Sequence, residues 1–88
     1  MSTRNRTLDL KSLSPDQCRA ARALISMDQN ALAAAAHVSR GVVIDFEKGK
    51  RTPGPNNLAA IRAALEQAGV TFLADGDVAT GPGVALKP

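Results

Sequence analysis

Apolar side chains recur three and four positions apart through most of the chain, and Ser, Asp, Gly and Pro interrupt the recurrence. This pattern predicts short amphipathic helices bounded by caps. The first opens at Ser14-Pro15-Asp16-Gln17. Ser14 can accept the free amide of Gln17, and the Gln17 side chain can reach back. Pro15 suits the first helical position, and Asp16 complements the helix dipole. The helix should run to about Ser26, with Cys18, Ala21, Leu24 and Ile25 as its apolar face. Asp28 is a second cap and opens a helix from Gln29 to Ala36. His37-Val38-Ser39 is too short to be more than a turn. Ser39 caps a third helix, Arg40 to Lys48, which Gly49 ends. Pro55 starts a fourth helix, with Leu58, Ile61, Leu65 and Ala68 along one stripe, and Gly69 stops it.

The two ends of the chain differ from this middle. Residues 1–13 show no helical period and read as a basic arm carrying Arg4, Arg6 and Lys11. The arm is either a disordered tail or a minor-groove ligand. After Gly69, Val70-Thr71-Phe72-Leu73 has strand propensity. Turn material follows at Asp75-Gly76-Asp77 and Gly81-Pro82-Gly83, and Val84-Ala85-Leu86 can return as a second strand. The expected organisation is an arm over 1–13, a helical domain over 14–69 and a hairpin over 70–88. An isolated hairpin is marginal in water, so it should pack on the helices or on a second subunit. Phe72 and Leu73 are the candidate dimer residues.

Composition narrows the function. Eighty-eight residues make one domain with a thin core. Residues 1–62 carry a balance of +5 and residues 63–88 a balance of −2. The basic front suits a polyanion, though a solvated face of mixed charge gives the same count. Cys18 is the only cysteine, so no internal disulfide forms. It reads as a core residue. With one histidine and one cysteine there is no metal cluster of the usual kind. No cofactor is expected, and no catalytic constellation suggests an enzyme. Two aromatics are too few for a single-strand stacking platform. No apolar run approaches a membrane span, and the N-terminus lacks a secretory stretch. A soluble cytoplasmic protein is expected.

Two short helices joined by a three-residue turn make a helix-turn-helix, whose second helix can enter a major groove. Leu32, Ala36, Val38, Val43 and Phe46 fall where two steeply crossing helices share a core. Ala33 falls at their closest approach. The outer face of the third helix offers Ser39, Arg40, Gly41, Ile44, Asp45 and Lys48. Arg40 can grip guanine O6 and N7 with two donors. Asp45 can accept from cytosine N4, or orient Arg40 or a nearby lysine. Ile44 either meets a thymine methyl or packs against the second helix.

Gln29-Asn30-Ala31-Leu32-Ala33, then Val38-Ser39-Arg40, then Phe46-Glu47-Lys48-Gly49-Lys50-Arg51-Thr52-Pro53 resemble the Cro and phage-repressor (XRE) family, over roughly residues 15–68. The resemblance implies a mainly α fold: a compact four- to five-helix lambda-repressor-like DNA-binding domain, here with a short C-terminal β-hairpin. It implies a double-stranded DNA operator and a homodimer. Gln29 would meet a phosphate or a base edge, and Arg40, Gly41 and Asp45 would face bases. Ser39, Lys48, Lys50 and Arg51 would hold the sugar-phosphate backbone, and Asn57 is placed with them. Arg22 and Glu47 would form an internal ion pair, although Arg51 lies four residues beyond Glu47 and competes for it. His37 stands where the family usually has Gly, at a turn that needs positive φ. Asp28 replaces the usual Ser or Asn. Gly41 brings no side chain to a position that often reads a base.

The expected function is a repressor, blocking polymerase because no room is left for an effector domain. The alternative is an antitoxin-type module, whose main partner is a toxin and whose DNA binding is autoregulatory.

Overall fold

A computed structural model of the chain describes residues 13–73 and 83–87. The arm residues Arg4, Arg6 and Lys11 and the turn at Asp75-Gly76-Asp77 lie outside the described residues.

Among the described residues, four helices and a two-stranded antiparallel hairpin follow one another: α1 Pro15–Ile25, α2 Gln29–Ala36, α3 Arg40–Glu47, α4 Pro55–Gln67, β1 Val70–Leu73 and β2 Gly83–Leu86. Each boundary has a local cause. Ser14 Oγ accepts from the Gln17 amide at 3.1 Å, and Gln17 Oε1 accepts from the Ser14 amide at 3.0 Å, closing a capping box. Asp28 Oδ1 accepts from the Ala31 amide at 2.7 Å, and Ser39 Oγ from the Val42 amide at 3.2 Å. The first two helices end on left-handed residues, Ser26 at φ 55° and His37 at φ 58°. His37 thus holds the positive φ expected of it, and Ser26 is a second such position. α3 stops at Glu47, with Lys48 as its C-cap rather than its last turn.

The core runs between all six elements. Cys18, Leu32, Val43, Ile61, Leu65 and Val70 are fully buried at its centre, and Leu13 closes one side. Ala33 and Ala36 are buried where α2 faces its neighbours. α2 packs on both α3 and α4, and the hairpin packs on α1 and α4. In the hairpin, Val70 pairs with Leu86, Thr71 with Ala85, Phe72 with Val84 and Leu73 with Gly83. Gln17 ties α1 to both strands: its Nε2 donates to Gly83 O at 3.0 Å and to Leu73 O at 3.4 Å.

One expectation changes. Leu24 does not line the core; it is 43% exposed, because α1 turns Cys18 and Ala21 inward. Phe72 turns inward on its own protomer. It is 8% exposed, part of the protomer's own core, and the Arg62 guanidinium carbon lies 5.0 Å from its ring centroid. Leu73 is half-buried, and a Cβ added at its strand partner Gly83 would lie 3.7 Å from its Cδ1.

Candidate nucleic-acid interface

α2, the turn at 37–39 and α3 form the site. Val38 N donates to Ala33 O at 3.0 Å across the left-handed His37, which redirects the chain by one tight turn. Val43 and Phe46 bury the inner face of α3 against the core. The opposite face is left to solvent. Ser39, Arg40, Gly41 and Lys48 are exposed there, and Ile44 and Asp45 are half-buried between them.

Behind α3 the chain folds back on the helix end. Lys50 N donates to Asp45 O at 2.9 Å and Arg51 N to the same oxygen at 3.3 Å. Gly49 makes the reversal at φ +75°, a conformation that favours glycine. Lys48, Lys50 and Arg51 are thereby held beside the outward end of α3, all exposed. Asn57, in the first turn of α4, is exposed as well.

What orients α3 is buried beneath it. Glu47, 3% exposed, is the only buried charged residue among the described residues. Its Oε1 accepts from Arg22 Nη2 at 2.7 Å and from Gln29 Nε2 at 3.0 Å. Its Oε2 accepts from Arg22 Nε at 2.7 Å and from Cys18 Sγ at 3.0 Å. Arg19 Nη1 donates to the Glu47 backbone oxygen, and the same guanidinium pairs with Asp16. Arg22 also reaches Met27 O at 3.1 Å. One carboxylate thus joins α1, α2 and α3. Among the described residues no buried side-chain nitrogen or oxygen lacks a partner.

The charges behave accordingly. Burial pushes the Glu47 carboxyl up, but the hydrogen bonds from Arg22, Cys18 and Gln29 outweigh it and hold the group below its ordinary value. The bond to Glu47 raises Arg22 further. The Cys18 thiol is pushed far up, by burial first and then by its bond to Glu47. At neutral pH it is a proton donor, not a nucleophile.

The structure brings Arg22 and Glu47 together and leaves Arg51 out of that pair. It turns the Gln29 amide nitrogen inward to Glu47, where an outward contact was expected. Asp45 makes no ion pair with Arg40 or a lysine among the described residues. The Cys18 contact was missed, yet a signal existed: Cys18 lies four residues before Arg22, on the same helix face. Among the described residues no group of three potential ligands can hold a metal ion, and no helix is long and apolar enough to cross a membrane.

A family model described as helix-turn-helix matches residues 19–71, from α1 into β1. No curated protein matches the chain. The match spans well over half of the sequence and covers the buried carboxylate, the left-handed turn and the outward face of α3. The chain belongs to the XRE family of helix-turn-helix proteins, a family of DNA-binding regulators.

Proposed function

We propose that this protein is a repressor that reads a palindromic operator as a homodimer, with α3 in the major groove. The observation that carries the reading is the two-sidedness of α3. One face is locked into the core by Val43, Phe46 and Glu47, and the other presents Arg40, Gly41 and Lys48 to solvent, with Lys50 and Arg51 beside them.

Each residue has a role on this reading. Arg40, at the start of α3, grips a guanine through two donors. Ile44 and Asp45 read neighbouring base edges. Ser39, Lys48, Lys50, Arg51 and Asn57 hold the backbone. Gln29 acts through Glu47, fixing α2 against α3 rather than touching bases. Two protomers related by a dyad would read half-sites about 34 Å apart. The hairpin supplies the contact between them through its outward side, where Leu86 is 56% exposed, rather than through Phe72.

The test is binding to DNA from the protein's own upstream region across a salt series, with Arg40→Ala beside the wild type. Tight, selective binding that falls steeply with salt and loses selectivity in Arg40→Ala supports an operator-reading regulator. Non-selective binding, or indifference to Arg40, shifts the weight to a protein partner such as a toxin.

A further inference from the structure

An α-helix leaves its last four carbonyls without partners inside the helix. In α3 these belong to Ile44, Asp45, Phe46 and Glu47. The segment that follows satisfies three of them. Ile44 O accepts from the Lys48 amide at 3.1 Å, Phe46 O from the Gly49 amide at 2.9 Å, and Asp45 O from the amides of Lys50 and Arg51. Glu47 O accepts from no backbone amide among the described residues. Its partner is a side chain from another helix, Arg19 on α1, whose Nη1 donates to it.

The buried charge does not need Arg19, because Arg22, Cys18 and Gln29 already occupy the Glu47 carboxylate. The Arg19 side chain is 48% exposed, and its guanidinium has two separate engagements. Nη2 is held by Asp16, one turn earlier on α1, and Nη1 ends on α3. An exposed Asp–Arg pair contributes little by itself. Here it fixes the direction of a second bond, and it brings a cation to the negative end of the α3 dipole. The carbonyl so held belongs to the residue directly before Lys48, at the root of the turn that carries Lys50 and Arg51. The contact therefore bears on the exposed cations of the site rather than on the core.

Resting on the DNA-reading function above, we propose that Arg19 is a positioning residue for DNA binding: anchored by Asp16, it clamps the last carbonyl of α3 and holds Lys48, Lys50 and Arg51 in place for the sugar-phosphate backbone, without touching DNA itself. Arg19→Met keeps the apolar stem and removes the guanidinium. Hydrogen exchange on the free protein should then show the Lys50 and Arg51 amides exchanging about tenfold faster, as expected for one lost charge-assisted bond, while the α4 amides keep their rates. On a duplex selected by the wild type, Arg19→Met should bind about fivefold more weakly, with an unchanged slope of log affinity against log salt. Asp16→Asn should move both readouts in the same direction by less, and Arg19→Lys should restore part of each. Unchanged exchange at Lys50 and Arg51 would overturn the assignment. So would a slope lower by about 1, because Arg19 would then hold a phosphate itself. Tighter binding by Asp16→Asn would also overturn it, since Asp16 would then only mask a cation. Each of these outcomes leaves the operator-reading function intact. If the wild type selects no sequence, that function itself fails and takes the assignment with it, whatever the exchange rates show.

Discussion

The Arg22 guanidinium meets the Glu47 carboxylate edge-on, through Nε and Nη2 at 2.7 Å each, across 25 residues of chain. This fork-to-fork geometry is the strongest form an ion pair takes. Its members are 19% and 3% exposed, so water screens it little. Glu47 is the last residue of α3, and Arg22 lies in the last turn of α1. The pair therefore ties the end of α3 to α1 and the body of the domain.

Breaking that pair from one side should be costly. Arg22→Met leaves a buried carboxylate without its main partner, and should lower unfolding stability by about 3–5 kcal/mol in urea titrations. Replacing both residues, as Arg22→Met with Glu47→Leu, should cost clearly less than the sum of the single changes. Additive losses would show that the two do not act as a pair.

Acid should expose the same carboxylate. The Glu47 carboxyl is held below its ordinary value in the folded chain, so the unfolded chain binds its proton first as pH falls. The stability it contributes is complete above the unfolded value and is lost as pH falls through the folded one. Urea midpoints measured from pH 7 down to pH 3 should drop steeply, and Glu47→Gln should flatten the drop from a lower starting stability.

Cys18 predicts the opposite limb. Its thiol is raised when folded, so the unfolded chain releases the proton first, near the ordinary thiol value of about 8.5. Stability should be complete below that pH and decline above it. Cys18→Ala should remove the alkaline decline, at a cost of about 1–2 kcal/mol for the lost bond and contact. A thiol reagent should modify the wild type only at the rate of unfolding, since Cys18 is fully buried.

Phe72 should behave as core. Phe72→Ala should cost about 3–5 kcal/mol in stability, because both the ring's burial and the Arg62 stacking are lost. Leu86→Lys, at an exposed position, should leave protomer stability nearly unchanged. Sedimentation of that variant then reports directly on association: a loss of dimer locates the contact on the hairpin, and an unchanged mass excludes it.

Lys50 and Arg51 should act on affinity without acting on sequence preference. Each alanine variant should reduce the slope of log affinity against log salt by about 1. Neither should move the melting temperature appreciably, since both side chains are exposed. A changed base preference would place them at the groove floor instead of the backbone.

Much of this architecture is legible in short stretches of chain. Ser14-Pro15-Asp16-Gln17, Asp28 and Ser39 each specify a helix start through a bond to an amide three residues on, so local spacing suffices. The left-handed geometry at His37 is legible through the resemblance, which sets a usual glycine position there. The exposed face of α3 follows from its period once Val43 and Phe46 are inside.

Other features depend on which surfaces meet. Nothing within a few residues of Leu24 says that α1 will present Cys18 and Ala21 to the core and leave Leu24 outside. Gln17 reads as half of a capping box, yet its remaining donor finds two hairpin carbonyls 56 and 66 residues away. Phe72 is apolar on any reading, and only the arrival of α4 with Arg62 decides that its own protomer covers it. Most consequential is Glu47, whose carboxylate gathers Cys18, Arg22 and Gln29 from two other helices. Where helices begin, turn and stop is local information, because those are hydrogen bonds between near neighbours. Which polar groups share one buried charge is not, because burial and pairing belong to surfaces that folding brings together from a distance.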